Sequence, residues 1–296
     1  MEIKHMGQIL KQLRHSRKLS LKAATGGDFS VSMLSRFENG ESDLTTLKLL
    51  TVLENIRTEP EEFFYLIRGF KTSSFSALIQ EIREAQDKNT IDSVWQLYQQ
   101  EVDHFQKENK PTHLLNALII KGNLHTFDNS IQASKEELDF FYDYLFSVDI
   151  WGEYELNIFT EVSVLLPLES YFFYCRELLT KIDYFEEMFI IRNRIHTILL
   201  NGLFLAIKEK DLHKANYFDK QIKQRFFEEN EAYLRIVYRF AQGMLQFQFN
   251  KSNDGLKTME QAVQVLDFIG CEQLASYYKE SLNKLLKKES SNKISK

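Results

Sequence analysis

Ser30, Ser32, Met33, Ser35 and Arg36 stand together in the run Ser30-Val31-Ser32-Met33-Leu34-Ser35-Arg36-Phe37-Glu38-Asn39-Gly40. The chemistry these types offer is hydrogen bonding rather than bond making. A guanidinium can fork onto O6 and N7 of a guanine, and a serine hydroxyl can donate to or accept from any base edge. Val31, Leu34 and Phe37 recur at three-residue steps and are predicted to face inward, which turns Ser32, Met33, Ser35 and Arg36 outward. Ser30 suits an N-cap and Asn39-Gly40 a stop, so Ser30 and Asn39 close the two ends of one polar face. Arg17, Lys18 and Lys22 lie upstream. They are suited to phosphate contacts, which carry affinity without sequence information.

Such a face needs elements to present it. Gly7 to Arg14, continuing to Lys18, reads as an amphipathic helix with Ile3, Met6, Leu10 and Leu13 on one stripe. Leu19 to Ala24 precedes the turn Gly26-Gly27, which leads into the polar-faced segment. Leu44 to Leu53 and Pro60 to Ile67 follow, the latter with proline where a first helical turn accepts it. Five short helices in this order resemble the repressor-type helix-turn-helix of the XRE class. The run Val31 to Leu44 is more specific. With Ser30 it matches the pattern S-x-S-x-[LI]-S-R-F-E-x-G-x-S and resembles the Rgg (MutR/GadR-like) regulators of Gram-positive bacteria. That resemblance implies a homodimer that binds double-stranded operator DNA and answers to a short secreted signalling peptide taken back into the cell. The repressor-type resemblance also implies a structural pair, in which Arg14 on the first helix meets Glu38 at the end of the recognition helix.

Charge divides the chain. The whole carries a formal net charge of -5, which argues against a general polyanion binder. The first forty residues nevertheless hold seven Lys and Arg against three carboxylates. A basic head on an acidic body suits a protein that meets phosphates with one end only. The expected organisation is a helix-turn-helix domain over 1–69, a hinge over 70–76, a helical-repeat domain for peptide binding and dimerisation over 77–287, and a disordered tail over 288–296.

The body is expected to be all-α, because 3 Pro and 11 Gly leave few breaks in 296 residues. Its 24 Phe and 13 Tyr fall mostly at helical spacing beside Leu and Ile, as core residues do. Successive helix pairs are predicted: 114–125 with 136–146, 154–165 with 169–181, 194–208 with 212–226, and 233–249 with 253–268. The last is the clearest, since Gly243, Gly255 and Ala262 permit a close crossing. Stacked pairs of about thirty residues resemble degenerate tetratricopeptide repeats, and such an α-solenoid offers a concave wall for an extended peptide. Arg192, Asn193, Asn201, Tyr233, Tyr238, Arg239 and Gln242 are the polar interruptions able to hold a peptide backbone or carboxylate.

Catalytic chemistry finds no support. The chain contains no G-x-x-x-x-G-K-[ST], H-E-x-x-H or G-x-S-x-G. His104 with His113, and His125 with Asp128, lack ligand spacing, so no metal and no cofactor are expected. Cys175 and Cys271 are expected as separate reduced thiols. The N-terminus has no apolar leader and no apolar run reaches the length of a membrane span, so the expected location is cytoplasmic. Two other readings fit the same residues: a constitutive dimeric repressor without a peptide ligand, and a helical-repeat scaffold with an idle head.

Overall fold

The computed structural model describes residues 3–69, 74–87, 91–181, 188–225, 227–250 and 252–294. Among the described residues there are sixteen α-helices, one 3-10 turn and no strand. The chain divides into two compact units, 1–84 and 85–296.

The first unit holds α1 (Ile3–Ser16), α2 (Leu21–Thr25), α3 (Val31–Glu38), α4 (Thr46–Asn55) and α5 (Pro60–Ile67). Local chemistry sets their ends. The Ser20 and Ser30 hydroxyls accept from the amides of Ala23 and Met33, relieving donors that a helix start leaves bare. Gly26 ends α2 at φ 61°, and Gly40 follows α3 at φ 76°, both in the left-handed region. Leu10, Leu34, Phe37, Val52, Leu53, Ile56 and Phe63 form the core, each at most 1% exposed. Full burial of one such side chain contributes roughly 1.5–3 kcal/mol.

Three details differ from expectation. α1 stops at Ser16 rather than Lys18, because Lys18 takes a left-handed φ of 57° that breaks the helix. The buried face of α1 is Gly7, Ile9, Leu10 and Arg14, while Met6 and Leu13 are only partly covered; the side chain of Ile3 lies outside the described residues. Val31 is 39% exposed rather than inward, since the first turn of α3 projects past the core that Leu34 and Phe37 enter.

α6 (Ser74–Asp87) contains the division between the units, which falls at Glu84 rather than in the expected hinge. Most of that hinge, residues 70–73, lies outside the described residues. The second unit comprises α7 (Ile91–Glu108), α8 (Pro111–Phe127), α9 (Lys135–Ser147), α10 (Glu153–Val162) with its 3-10 extension Ser163–Leu165, and α11 (Leu168–Lys181). It continues with α12 (Phe189–Lys208), α13 (Leu212–Gln224), α14 (Ala232–Asn250), α15 (Asn253–Phe268) and α16 (Glu272–Ile294). α8, α10, α12 and α14 form a row, each packed on the next.

The last two expected pairs, α12 with α13 and α14 with α15, pack along their lengths. Small residues allow it. A Cβ on Gly243 would lie 2.6 Å from the Gly255 carbonyl, one on Gly255 2.5 Å from the Gly243 carbonyl, and one on Gly202 2.4 Å from the Phe218 ring. The first two expected pairs are corrected. α8 packs chiefly on α7 and α10 and only lightly on α9, and α11 packs on α12. The reason is coverage: α8 is buried from Ala117 through Gly122 and needs apolar partners on opposite sides. The expected tail is also corrected, since α16 continues to Ile294 through a sequence free of Gly and Pro.

Among the described residues one helix, α12, is long and apolar enough to cross a membrane by length and mean hydropathy, 1.2, where none was expected. It carries Arg192, Arg194, His196 and Asn201, and 56% of its apolar window is buried within the fold. Those properties describe a core helix.

Candidate functional site

α3 presents the face that the sequence outlines. Ser32, Met33 and Arg36 are exposed, Ser35 is half-buried, and Leu34 and Phe37 anchor the opposite side. At the start of α3 the Ser30 hydroxyl caps the helix and lies 3.1 Å from the Ser32 hydroxyl. At its end Asn39 accepts from the Lys11 ammonium at 3.2 Å, which adds a lysine of α1 to the polar rim. From α4, Lys48 approaches the Met33 sulfur at 3.7 Å and lies 5.8 Å from the Phe29 ring centroid. Lys11 and Lys48 were not singled out in the sequence. Their place beside α3 depends on how α1 and α4 cross it.

Arg14 and Glu38 hold α1 and α3 together. The guanidinium forks onto the carboxylate, Nε to Oε1 at 2.7 Å and Nη2 to Oε2 at 2.6 Å, while Nη1 donates to the Leu19 carbonyl at 2.7 Å. Arg14 is 5% and Glu38 2% exposed. Hydrogen bonding to Glu38 raises the Arg14 pKa further, against the opposing effect of burial, so the arginine stays charged. Gly7 lets the same helices touch, since a Cβ there would lie 2.0 Å from the Phe37 carbonyl oxygen.

The upstream cations are not equivalent. Lys18 and Lys22 are exposed. Arg17, expected to be free for phosphate, is half-buried and donates to the carbonyls of Leu13 at 3.2 Å and Arg57 at 3.3 Å. The close return of the chain at Arg57, itself at a left-handed φ of 53°, draws it inward.

The expected peptide-contact residues separate into different environments. Asn193 and Asn201 are half-exposed on α12, with Thr197 midway between them at helical spacing. The Asn201 amide reaches the Ser163 hydroxyl at 3.5 Å. Arg192 is engaged with Glu228 at 3.1 Å. On α14, Tyr233 is exposed, and Arg239 is exposed and donates to Gln242 Oε1 at 3.2 Å. Tyr238 is corrected. It is 1% exposed and donates to Asp219 Oδ1 at 2.7 Å, joining α14 to α13, so it is a packing residue. Burial and the Asp219 carboxylate both push its pKa up and keep the phenol protonated. Asn157 on α10 escaped notice in the sequence. It is 3% exposed, and its Oδ1 has no hydrogen-bond partner among the described residues.

Two histidine pairings resolve differently. His125 Nδ1 lies 2.7 Å from the Ile131 carbonyl, which explains it as a loop-fastening side chain rather than a partner of Asp128. His104 and His113 stand with their rings 5.2 Å apart, joined by Glu101.

Residues 97–280 match the family described as HTH-type transcriptional regulator Rgg, C-terminal domain. The SHP pheromone receptor Rgg2 of Streptococcus dysgalactiae superposes with a TM-score of 0.80 at 24% identity, covering 94% of this chain and 99% of that one. A putative transcriptional regulator from Listeria monocytogenes EGD-e gives 0.80 at 21% identity, covering 97% and 98%. A complex of PrgX with iCF10 gives 0.70 at 17% identity, covering 97% of each chain. These superpositions establish the all-helical fold.

Proposed function

This chain belongs to the Rgg family of HTH-type transcriptional regulators, and we propose on that basis that it binds operator DNA as a homodimer under the control of a short signalling peptide. The observation that carries the DNA half is the exposed Ser32, Met33 and Arg36 face on a helix clamped by Arg14 and Glu38. α3 enters the major groove. Arg36 reads a base edge, Ser32 and Ser35 add hydrogen bonds, and Met33 supplies apolar contact. Ser30 and Asn39, with Lys11, Lys18 and Lys22, face phosphates. Arg17 contributes less, because two of its donors are already spent on carbonyls.

Arg36→Ala is expected to leave the fold intact and to remove about 1–3 kcal/mol of discrimination between operator and scrambled duplex. Binding to both duplexes at one salt concentration checks this. An unchanged ratio would place base readout elsewhere.

The peptide half is supported by the half-exposed amides of Asn193 and Asn201 on α12, by the S. dysgalactiae protein, described as an SHP pheromone receptor, and by PrgX, described in complexes with iCF10 and cCF10. Asn193 and Asn201 hold the peptide backbone, while Arg239 offers its charge to the peptide carboxylate. A peptide that prefers one arrangement of the dimer shifts the population of head spacings, and only spacings near a helical turn of DNA engage both half-sites. The protein then works inside the cell, where operator and re-imported peptide meet.

Calorimetry on the full chain, with short apolar peptides encoded beside its gene, tests this half. One peptide should bind, and amidating its C-terminus should weaken it. DNA binding and transcription that ignore every candidate peptide would favour a constitutive dimeric repressor.

A further inference from the structure

α7 and α8 form a tight antiparallel hairpin whose closed end gathers ionisable groups. Asn109 takes a left-handed φ of 50° and Pro111 opens α8, so only two residues connect the helices. Glu101 and His104, three apart, share a face of α7. His113 enters from the first turn of α8 and meets them. One donor atom from each of Glu101, His104 and His113 lies within 4.8 Å of the others.

The cluster is partly ordered before any ion arrives. His113 Nδ1 is 2.7 Å from Glu101 Oε2, and the Asn116 amide donates to the same oxygen at 3.3 Å. Glu108 places Oε2 3.7 Å from His113 Nε2, and Lys110 holds that carboxylate at 2.6 Å. The Lys110 ammonium lowers the Glu108 pKa, with a smaller contribution from His113. His104 is exposed and touches the group only by packing its ring edge-on against His113 at 5.2 Å.

We propose that Glu101, His104 and His113 bind one divalent transition-metal ion of the Zn2+ type. Two imidazoles and a carboxylate match the nitrogen and oxygen preference of such ions, and a fourth position remains for water. A tetrahedral site with bonds of about 2.0–2.2 Å spaces its donors at about 3.4 Å. The three donors, which lie within 4.8 Å of one another with His113 Nδ1 2.7 Å from Glu101 Oε2, adjust to that spacing as they turn toward the ion. Its effect is structural: it staples α7 to α8.

His104 separates this site from a plain hydrogen-bond network. His104→Ala leaves the bonds among Glu101, His113 and Asn116 in place and removes a metal ligand. Tag-free full-length protein, stripped with chelator, is titrated with zinc chloride by calorimetry. Wild type and Cys271→Ser should bind one zinc per chain, and His104→Ala should bind at least about tenfold more weakly, since removing even an outer partner of a ligand costs about 10–100-fold. Excess zinc should raise the unfolding midpoint of wild type and leave that of His104→Ala nearly unmoved. Cobalt in place of zinc should give ligand-field bands in wild type that His104→Ala loses. Absence of stoichiometric binding, or equal affinity in His104→Ala, overturns the assignment.

Discussion

Arg14→Ala is expected to destabilise the first unit by about 3–5 kcal/mol and to abolish specific DNA binding with it. The cost arises from what is left behind. The Glu38 carboxylate, 2% exposed, would stay in the core without the two bonds that now satisfy it. The Leu19 carbonyl would lose the Nη1 donor that ties the end of α1 to the start of α2. An exposed pair such as Lys110 with Glu108 belongs to a different class, screened by solvent and held at the expense of side-chain freedom. Arg14→Lys should recover little, because an ammonium cannot fork onto both carboxylate oxygens. Arg14→Met with Glu38→Leu should recover much of the stability, since a buried ion pair replaced by apolar side chains is often neutral. Denaturant unfolding of the full chain, with amide exchange to locate the loss in 1–69, measures the effect. A loss below about 1 kcal/mol would show that the pair carries little of the contact between α1 and α3.

Gly7→Ala is the second large effect, and two opposing magnitudes decide its sign. In an open helix this change stabilises by about 0.8–1.0 kcal/mol, through reduced backbone freedom. Here the new Cβ would lie 2.0 Å from the Phe37 carbonyl oxygen and 3.1 Å from the Glu38 Cα. Both are backbone atoms of α3, so no side-chain rotation relieves the clash. α1 must withdraw from α3, which loosens Leu10 against Leu34 and stretches the fork from Arg14 to Glu38. Overpacking of this kind costs about 1–3 kcal/mol and sometimes more, which exceeds the helix gain. The expected result is a net loss of stability, with weakened operator binding because α3 is displaced. Thermal unfolding and duplex binding of the single variant check it, and an equal or higher unfolding midpoint would contradict the closeness of α1 and α3.

The head was legible because its signals are local. A serine cap acts within three residues, a glycine stop within one turn, and the alternation of Leu34 and Phe37 with Ser32, Ser35 and Arg36 fixes a face through the helical period alone. The motif spanning Ser30 to Ser42 likewise named the family that the match over residues 97–280 establishes. The close crossing of α14 with α15 was readable in Gly243 and Gly255 for the same reason: a missing side chain marks a contact even before its partner is known.

What required the tertiary structure was the choice of partners. Helical period says which face of α8 is apolar. It does not say that α7 and α10, rather than α9, will cover it, because that depends on surfaces far apart in sequence competing for the same area. Tyr238 looked like a groove residue until Asp219 met its hydroxyl, and Arg17 looked free until the Arg57 carbonyl came within reach. Gly7 passed as an ordinary helix residue until Phe37 closed over it. Glu101, His104 and His113 had no ligand spacing along the chain, since a hairpin of two helices brings together residues that no single period relates. Sequence fixes the face each helix offers through short-range geometry, and long-range packing alone decides which faces meet.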